Sequence, residues 1–382
     1  MSPIVILLGV TSFFTDVGTE MIFPLLPVFL TGTLGAAPAF LGLIEGASDT
    51  ICSLLKLWSG RWSDRLGRRK PLVTSGYALA GLVRPLVGLA TAPWHVLAVR
   101  ITDRVGKGLR SAPRDAMIAA AAEPGKEGRA FGFHRAMDHA GAVVGPLVAS
   151  ALLAQGYTLR QVFLYALVPG VLAFLAMLSV REPPVVPKAP SAAPASRGAL
   201  APELRSYLLI LGLFSLGNAS DAFLLLRAHE LGFTDAAIPV LWSVFHVSKV
   251  LSSGLGGEIA DRVSRPRLVV AGWGVYAAAY LGFAVASQPW HAGALFIGYG
   301  VFYGLTEPAE KALVKQLAPA EAQGRAFGWY NFVVGIAALP AGLLTGAIWT
   351  VAGPAPALLL GAGLAGLAGA LLLRWDRRRA IA

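Results

Sequence analysis

Apolar runs of about 20 residues, broken by short charged or Gly/Pro-rich connections, recur along the whole chain, and that length is what an α-helix needs to cross the hydrocarbon core of a bilayer. The pattern predicts twelve helices, over about 4–30, 38–59, 71–91, 94–120, 129–154, 162–180, 206–229, 236–256, 267–287, 291–316, 325–349 and 355–374. Helices are expected because lipid offers the backbone no hydrogen-bond partner. The ten-residue alternation of a membrane barrel does not occur. The first run, Pro3 to Leu30, has no basic segment before it, contains Asp16 and Glu20, and is too long for a cleaved leader. It reads as a retained span.

The connections alternate in charge. Those after helices one, three and eleven (Thr31–Ala37, Thr91–Trp94 and Val351–Pro356) carry none. Those after helices two, four, eight and ten are basic, with Arg61, Arg65, Arg68, Arg69 and Lys70 in the first and Arg262, Arg265 and Arg267 later; the tail Arg374–Arg379 is basic too. Lys and Arg collect on the cytoplasmic side of membrane proteins, so both termini are expected there. The stretch from Glu182 through Pro194 to Pro202 is rich in Pro, Ala and Ser and predicts an extended cytoplasmic linker. The expected organisation is a six-helix bundle over 1–181, a linker over 182–205 and a second bundle with a short basic tail over 206–382.

Composition changes the picture little. The 382 residues are 55% hydrophobic and 14% charged, with mean hydropathy +0.64. A soluble domain carries roughly 25% charged residues, so most of this surface faces lipid. The net charge of +11 could suggest nucleic acid, but the cations sit between apolar runs and on one side of them, so no nucleic-acid partner is expected. Cys52 is the only cysteine, which excludes an intrachain disulfide and a cysteine zinc site. No nucleophile elbow, H-E-x-x-H or phosphate-cradling glycine loop occurs, so neither an enzyme nor a cofactor is expected.

The chain repeats itself. Residues 60–70 read GRWSDRLGRRK and residues 257–267 read GEIADRVSRPR, an offset of 197. GRAFG occurs at 128–132 and at 324–328, an offset of 196. Two landmarks with one spacing make the halves homologous.

These residues also carry a family resemblance. Gly60-Arg-Trp-Ser-Asp64-Arg65-Leu-Gly67-Arg68-Arg69-Lys70 resembles the loop signature of the major facilitator superfamily, G-x-x-x-D-R-x-G-R-R/K, between its second and third spans. Glu127-Gly-Arg129 resembles the acidic and basic pair before the fifth helix, and Arg104-x-x-Lys107-Gly108 the fourth-helix R-x-x-Q-G pattern with Lys for Gln. Gly141-x-x-x-Gly145-Pro146 resembles the fifth-helix signature of the family's antiporters, although Leu147-Val148-Ala149-Ser150 replaces the glycines that often follow. The resemblance implies an all-α membrane protein with twelve transmembrane helices in two pseudo-symmetric six-helix bundles. It also implies a cytoplasmic gate, here Asp64, Arg65, Arg68, Glu127 and Arg129 with Asp261, Arg262 and Arg325 of the second half. The competing reading is ordinary positive-inside loop charge.

Charges inside the spans supply the candidate chemistry. Asp16 and Glu20 share one face of helix one, and Asp16 lies roughly 20 Å along it. A lone carboxylate there suits a group that takes up and releases a proton; the alternative is a permanent ion pair with a base on helix four or five. Arg100, Asp103, Arg104, Lys107, Arg110 and Arg114 fall on one stripe of helix four about 120° wide. They are either substrate contacts or a salt-bridge ladder with Asp16, Glu45, Asp49 or Asp138. Arg84 on helix three is a partner for a helix-one or helix-two acid, or an anion contact. On helix five His134, Arg135, Asp138 and His139 are expected to line the passage or the cytoplasmic gate; the histidines are five apart, a poor spacing for one metal, and no metal site is expected. In the second half Asp221 is the candidate central acid, while Tyr330 and Asn331 are candidate ligand contacts. Proton coupling is therefore placed on Asp16, Glu20 and Asp221, and substrate contact on Arg84, Arg104, Lys107, Asp138, Tyr330 and Asn331. The expected function is a monomeric secondary transporter of a bacterial inner membrane, with a small-molecule substrate, protons and the bilayer as its partners. Alternating access with proton-coupled export is the favoured mode. The rivals are symport of a polar or anionic metabolite, which the helix-four cations favour, and a non-transporting membrane sensor.

Overall fold

The computed structural model describes residues 1–66, 68–123, 125–182, 200–319 and 322–381, without the side chains of 60, 61, 64–66, 127, 254–262, 380 and 381. Every regular element among the described residues is helical. In chain order they are α1 (Pro3–Glu20), α2 (Pro38–Leu66), α3 (Lys70–Val83), α4 (Pro93–Ala121), α5 (Glu127–Ala154), α6 in two pieces (Leu159–Tyr165 and Leu167–Ser179), α7 in two pieces (Pro202–Gly217 and Ala222–Glu230), α8 (Ala237–Arg262), α9 (Arg265–Val285), α10 (Pro289–Leu317), α11 (Gln323–Ala352) and α12 (Pro354–Ile381).

Two of the departures from the predicted boundaries trace to proline. The first run is regular α-helix only to Glu20; past it, Pro24 and Pro27 lack a backbone N–H, and the chain reaches Thr33 through 3-10 and π turns. Pro85 has the same effect after α3, where Arg84–Leu89 tightens to 3-10 geometry. Helix seven, predicted as one piece, opens at Asn218–Asp221. Most of the predicted linker, 183–199, lies outside the described residues, and α7 begins at Pro202 rather than at 206.

Eight segments are long and apolar enough to cross a membrane: α1 with its extension, α3 with its 3-10 turn, α5, α6, α7, α9, α11 and α12. α2, α4 and α10 fall outside that set, and α8 contributes a shorter apolar stretch, Ala237–Ser253. α4 falls short because its charged stripe interrupts the apolar run.

The contacts divide the described residues into two units, one within 1–36, 47–187 and 233–243, the other within 37–46, 188–232 and 244–382. The duplication is visible in each. Pro-Trp-His opens both α4 (93–95) and α10 (289–291). In both copies the histidine Nδ1 accepts from a backbone N–H ahead of the helix, Thr91 in one and Ser287 in the other, each at 3.2 Å. In the first unit a Cβ on Gly108 would lie 2.6 Å from Leu55 of α2; in the second, one on Gly304, 196 residues on, would lie 2.5 Å from Ser252 of α8. One close crossing is thus built twice.

Candidate functional site

In the first unit α5 lies hard against α1. A Cβ on Gly141 would come within 2.5 Å of the Phe13 carbonyl oxygen, and one on Gly145 within 2.5 Å of that of Val17. Small residues at this spacing let two helices approach backbone to backbone. The face of α1 so approached carries both acids: Cβ of Asp16 would lie 3.0 Å from the Gly141 substituent and Cβ of Glu20 3.1 Å from that of Gly145.

The α4 stripe is largely a ladder of paired charges. Arg84 donates through Nε and Nη2 to Oδ1 of Asp103, at 3.1 and 2.7 Å, and through Nη1 to the Thr15 carbonyl at 3.0 Å. It therefore pairs with an α4 acid, not with an acid of helix one or two, and touches α1 only at the backbone. Arg100 Nη1 stands 4.0 Å from the other Asp103 oxygen. Arg84 and Asp103 are 4% and 1% exposed. Arg104 pairs with Asp49 of α2 at 3.6 Å, Arg114 with its neighbour Asp115 at 2.8 Å, and the Arg110 guanidinium lies 4.6 Å over the Tyr77 ring.

Two charged groups of the site stand outside this ladder. Among the described residues Asp16 and Lys107, both half-buried, have no hydrogen bond or ion pair to their charged atoms. The other acids nearby are engaged. Glu20 accepts from Trp242 Nε1 at 2.8 Å, and Asp138 accepts from Ser12 Oγ with His134 Nδ1 at 3.6 Å.

Two acids of the second unit, Asp221 and Glu310, accept from neutral donors. Asp221, in the break of α7, accepts from the hydroxyls of Tyr299 and Tyr303 on α10, each at 2.8 Å. The Lys249 ammonium lies 3.8 Å over the Tyr303 ring. Tyr330 donates to Glu310 at 2.8 Å. Asn331 is exposed and donates to Phe327 O of its own helix at 2.9 Å. The two candidate α11 contacts thus differ in setting: one is tied to an acid and the other is exposed.

Of the expected gate residues, Arg68 and Arg129 are exposed and Arg325 is half-buried at the start of α11. The side chains of Asp64, Arg65, Glu127, Asp261 and Arg262 lie outside the described residues. The first basic loop has a partner that the sequence did not suggest: Glu182 accepts from the backbone N–H groups of Arg69 and Lys70 and so caps α3. In the next connection Glu123 binds Lys126 at 2.5 Å and the N-terminal ammonium at 3.3 Å, and these hold its carboxyl below the ordinary value. Among the described residues no three His, Cys, Asp or Glu side chains converge as metal ligands.

Sequence reasoning missed Trp242, Trp273, Tyr299 and Tyr303 as partners of buried acids. An aromatic in an apolar run reads the same whether its polar edge meets a carboxylate or the headgroups.

Similarity to known proteins points the same way. A protein of Methanocaldococcus jannaschii described as an uncharacterized MFS-type transporter is 33% identical, over 98% of this chain and 95% of its own length. Multidrug resistance protein MdtG of Enterobacter lignolyticus is 27% identical over 83% of this chain and 78% of its own. The crystal structure of the nucleoside transporter NupG superposes with a TM-score of 0.81 over 98% of this chain and 99% of that one, at 13% identity, and so shares the fold. The Major Facilitator Superfamily profile matches residues 8–342 and again 221–382. With charged helices packed by close glycine contacts, a twofold internal repeat and these matches along its length, the chain is an integral membrane protein belonging to the Major Facilitator Superfamily of transporters.

Proposed function

We propose that the protein is a proton-coupled secondary transporter exporting a small organic solute by alternating access, and that Asp16 is its coupling acid. The observation that carries this reading is the contrast on one helix face and its surroundings: Asp103, Asp49, Asp115, Asp138 and Glu20 are all engaged, whereas Asp16 makes no hydrogen bond and no ion pair within 4.0 Å among the described residues. An acid with no fixed cation can gain or lose a proton without stranding a partner charge. Glu20 and Asp221 complete the proposed proton set, and Arg84, Arg104, Asp138, Tyr330 and Asn331 the positioning of substrate. The proposal includes twelve membrane spans in bundles over 1–181 and 206–382, the joining linker over 182–205, both termini in the cytoplasm and a bacterial inner membrane as the site of action. It also includes a monomeric state and a gate built from the loop charges. Export is favoured by the Gly141–Pro146 signature and by the likeness to multidrug resistance proteins.

The test is flux in proteoliposomes under an imposed pH gradient, with a compound panel, for wild type and Asp16→Asn. Gradient-driven flux is expected to vanish in the variant while exchange without a gradient persists; full retention of driven flux refutes the coupling role.

A second reading rests on Lys107. An ammonium without a carboxylate partner is an anion contact in waiting, which favours uptake of an anionic metabolite by symport. Lys107→Gln separates the two: it abolishes transport under the second reading and spares export of cationic compounds under the first.

A further inference from the structure

Glu310 lies in the last third of α10 and is 7% exposed. Its Oε1 accepts from Trp273 Nε1 of α9 at 3.1 Å and its Oε2 from the Tyr330 hydroxyl of α11 at 2.8 Å. Both donors are neutral. Lys311 is adjacent in sequence, but its ammonium is committed to Glu307 at 2.8 Å, and among the described residues no cation comes within 4.0 Å of Glu310. Around the carboxyl, α9 presents Trp273, which does not titrate; α11 presents Tyr330; α10 presents Glu307 and Lys311. α7 presents Tyr207, which is fully buried, whose hydroxyl has no hydrogen-bond partner, and on which Glu310 is the charged group that acts.

Among the described residues a carboxylate there meets two neutral donors and no cation within 4.0 Å, so its charge is poorly offset. The neutral acid fits better. It keeps both accepted hydrogen bonds and gains an O–H; Tyr207 of α7, whose buried hydroxyl makes no hydrogen bond in this structure, is the acceptor left open in its surroundings. We propose that Glu310 is a proton-binding site of the second unit, distinct from Asp16 and independent of it. One O–H bond forms on the carboxyl with a proton drawn from water, the negative charge is lost, and the proton returns to water on release. The fold thereby carries a titratable group in each unit, and the Glu310 site does not rest on the coupling role of Asp16.

The experiment uses the full chain carrying Asp16→Asn, so that the first site is silent, and records infrared difference spectra and tryptophan emission from acid to alkaline pH. A protonated-carboxyl C=O band is expected to grow as pH falls, Glu310→Gln to remove it, and Tyr207→Phe to move its midpoint, since that variant deletes the acceptor. Superimposable difference spectra for the parent and Glu310→Gln overturn the proposal. Should Glu310→Gln not fold, Tyr207→Phe and Trp273→Phe decide, because a midpoint that neither variant moves also overturns it. Failure of the Asp16 reading registers separately, as driven flux retained by Asp16→Asn.

Discussion

Replacing Asp103 by Ala tests the division between paired and open charges most directly. Arg84 spends two of its three recorded hydrogen bonds on Oδ1 of Asp103, at 3.1 and 2.7 Å, and both residues are almost wholly out of contact with solvent. Removing the acid leaves a buried guanidinium with one backbone carbonyl, that of Thr15. Breaking a buried pair by deleting one partner costs about 3–5 kcal/mol, because the surviving charge is uncompensated. At about 2–4 °C per kcal/mol for a cooperative unit of this size, the midpoint of thermal unfolding in detergent falls by about 6–20 °C. Lys107→Gln on the same stripe removes a charge with no such partner and moves the midpoint by less than about 1 kcal/mol. The double variant Arg84→Met with Asp103→Ala removes both charges and is less destabilised than Asp103→Ala alone, so the cycle gives a favourable coupling energy. Equal melting of Asp103→Ala and Lys107→Gln refutes the division, as does a double variant that merely adds the two single losses.

Two further outcomes follow from the geometry. Gly141→Val pushes a side chain into the Phe13 carbonyl, 2.5 Å from the first added carbon, and costs about 1–3 kcal/mol as overpacking. It also shifts the α1 face that carries Asp16, so flux falls more than stability. Gly132→Ala, on the same helix with nothing within 4 Å, leaves melting and flux intact, and equal behaviour of the two variants removes the α1–α5 contact from the mechanism. At the surface, the Glu123 carboxyl is held low by Lys126 and the N-terminal ammonium. The sign is that of a depressed acid: its contribution is complete above the ordinary carboxylate value of about 4.3 and is lost as pH falls through the lowered one. Glu123→Gln therefore melts below wild type at neutral pH and converges with it in acid; a constant gap across that range refutes the assignment.

The helices were legible because lipid and backbone chemistry leave one solution, and their ends were less so because single prolines decide them. Pro24 and Pro27 end the regular α-helix of the first run, a local effect that an averaged apolar run conceals. The charged stripe on α4 was visible from spacing alone, but not which of its members are satisfied. That depends on Asp49 and Asp103 reaching the right guanidinium groups across helices; for Arg84, open in the sequence between a helix-one or helix-two acid and an anion contact, the partner is Asp103 of α4. Asp221 was located while its partners were not, because Tyr299 and Tyr303 present apolar bodies to a hydropathy pattern and polar edges to a carboxylate.

The duplication makes that difference between the units interpretable. The GRAFG offset of 196 places Arg110 opposite Thr306 and Arg114 opposite Glu310. One scaffold position thus carries a cation in the first copy and an acid in the second. In the first unit the buried Asp103 and the exposed Asp49 meet guanidinium groups, while Glu20 meets an indole; in the second, Asp221 and Glu310 meet phenol and indole donors. The consequences for proton chemistry differ. Protonating an acid bound to a buried guanidinium strands a cation and is opposed by the whole desolvation cost of that cation. Protonating an acid bound to neutral donors strands nothing and relieves a buried charge. On the proposed reading an ion-paired ladder fixes helix positions through a transport cycle, while acids held by hydroxyl and indole groups, and Asp16, change charge within it. Exchanging the two kinds of partner should exchange the behaviour: Tyr330→Lys, which brings a cation to Glu310, is expected to abolish the pH-dependent carboxyl band while preserving the fold, and a band that persists in that variant contradicts the argument.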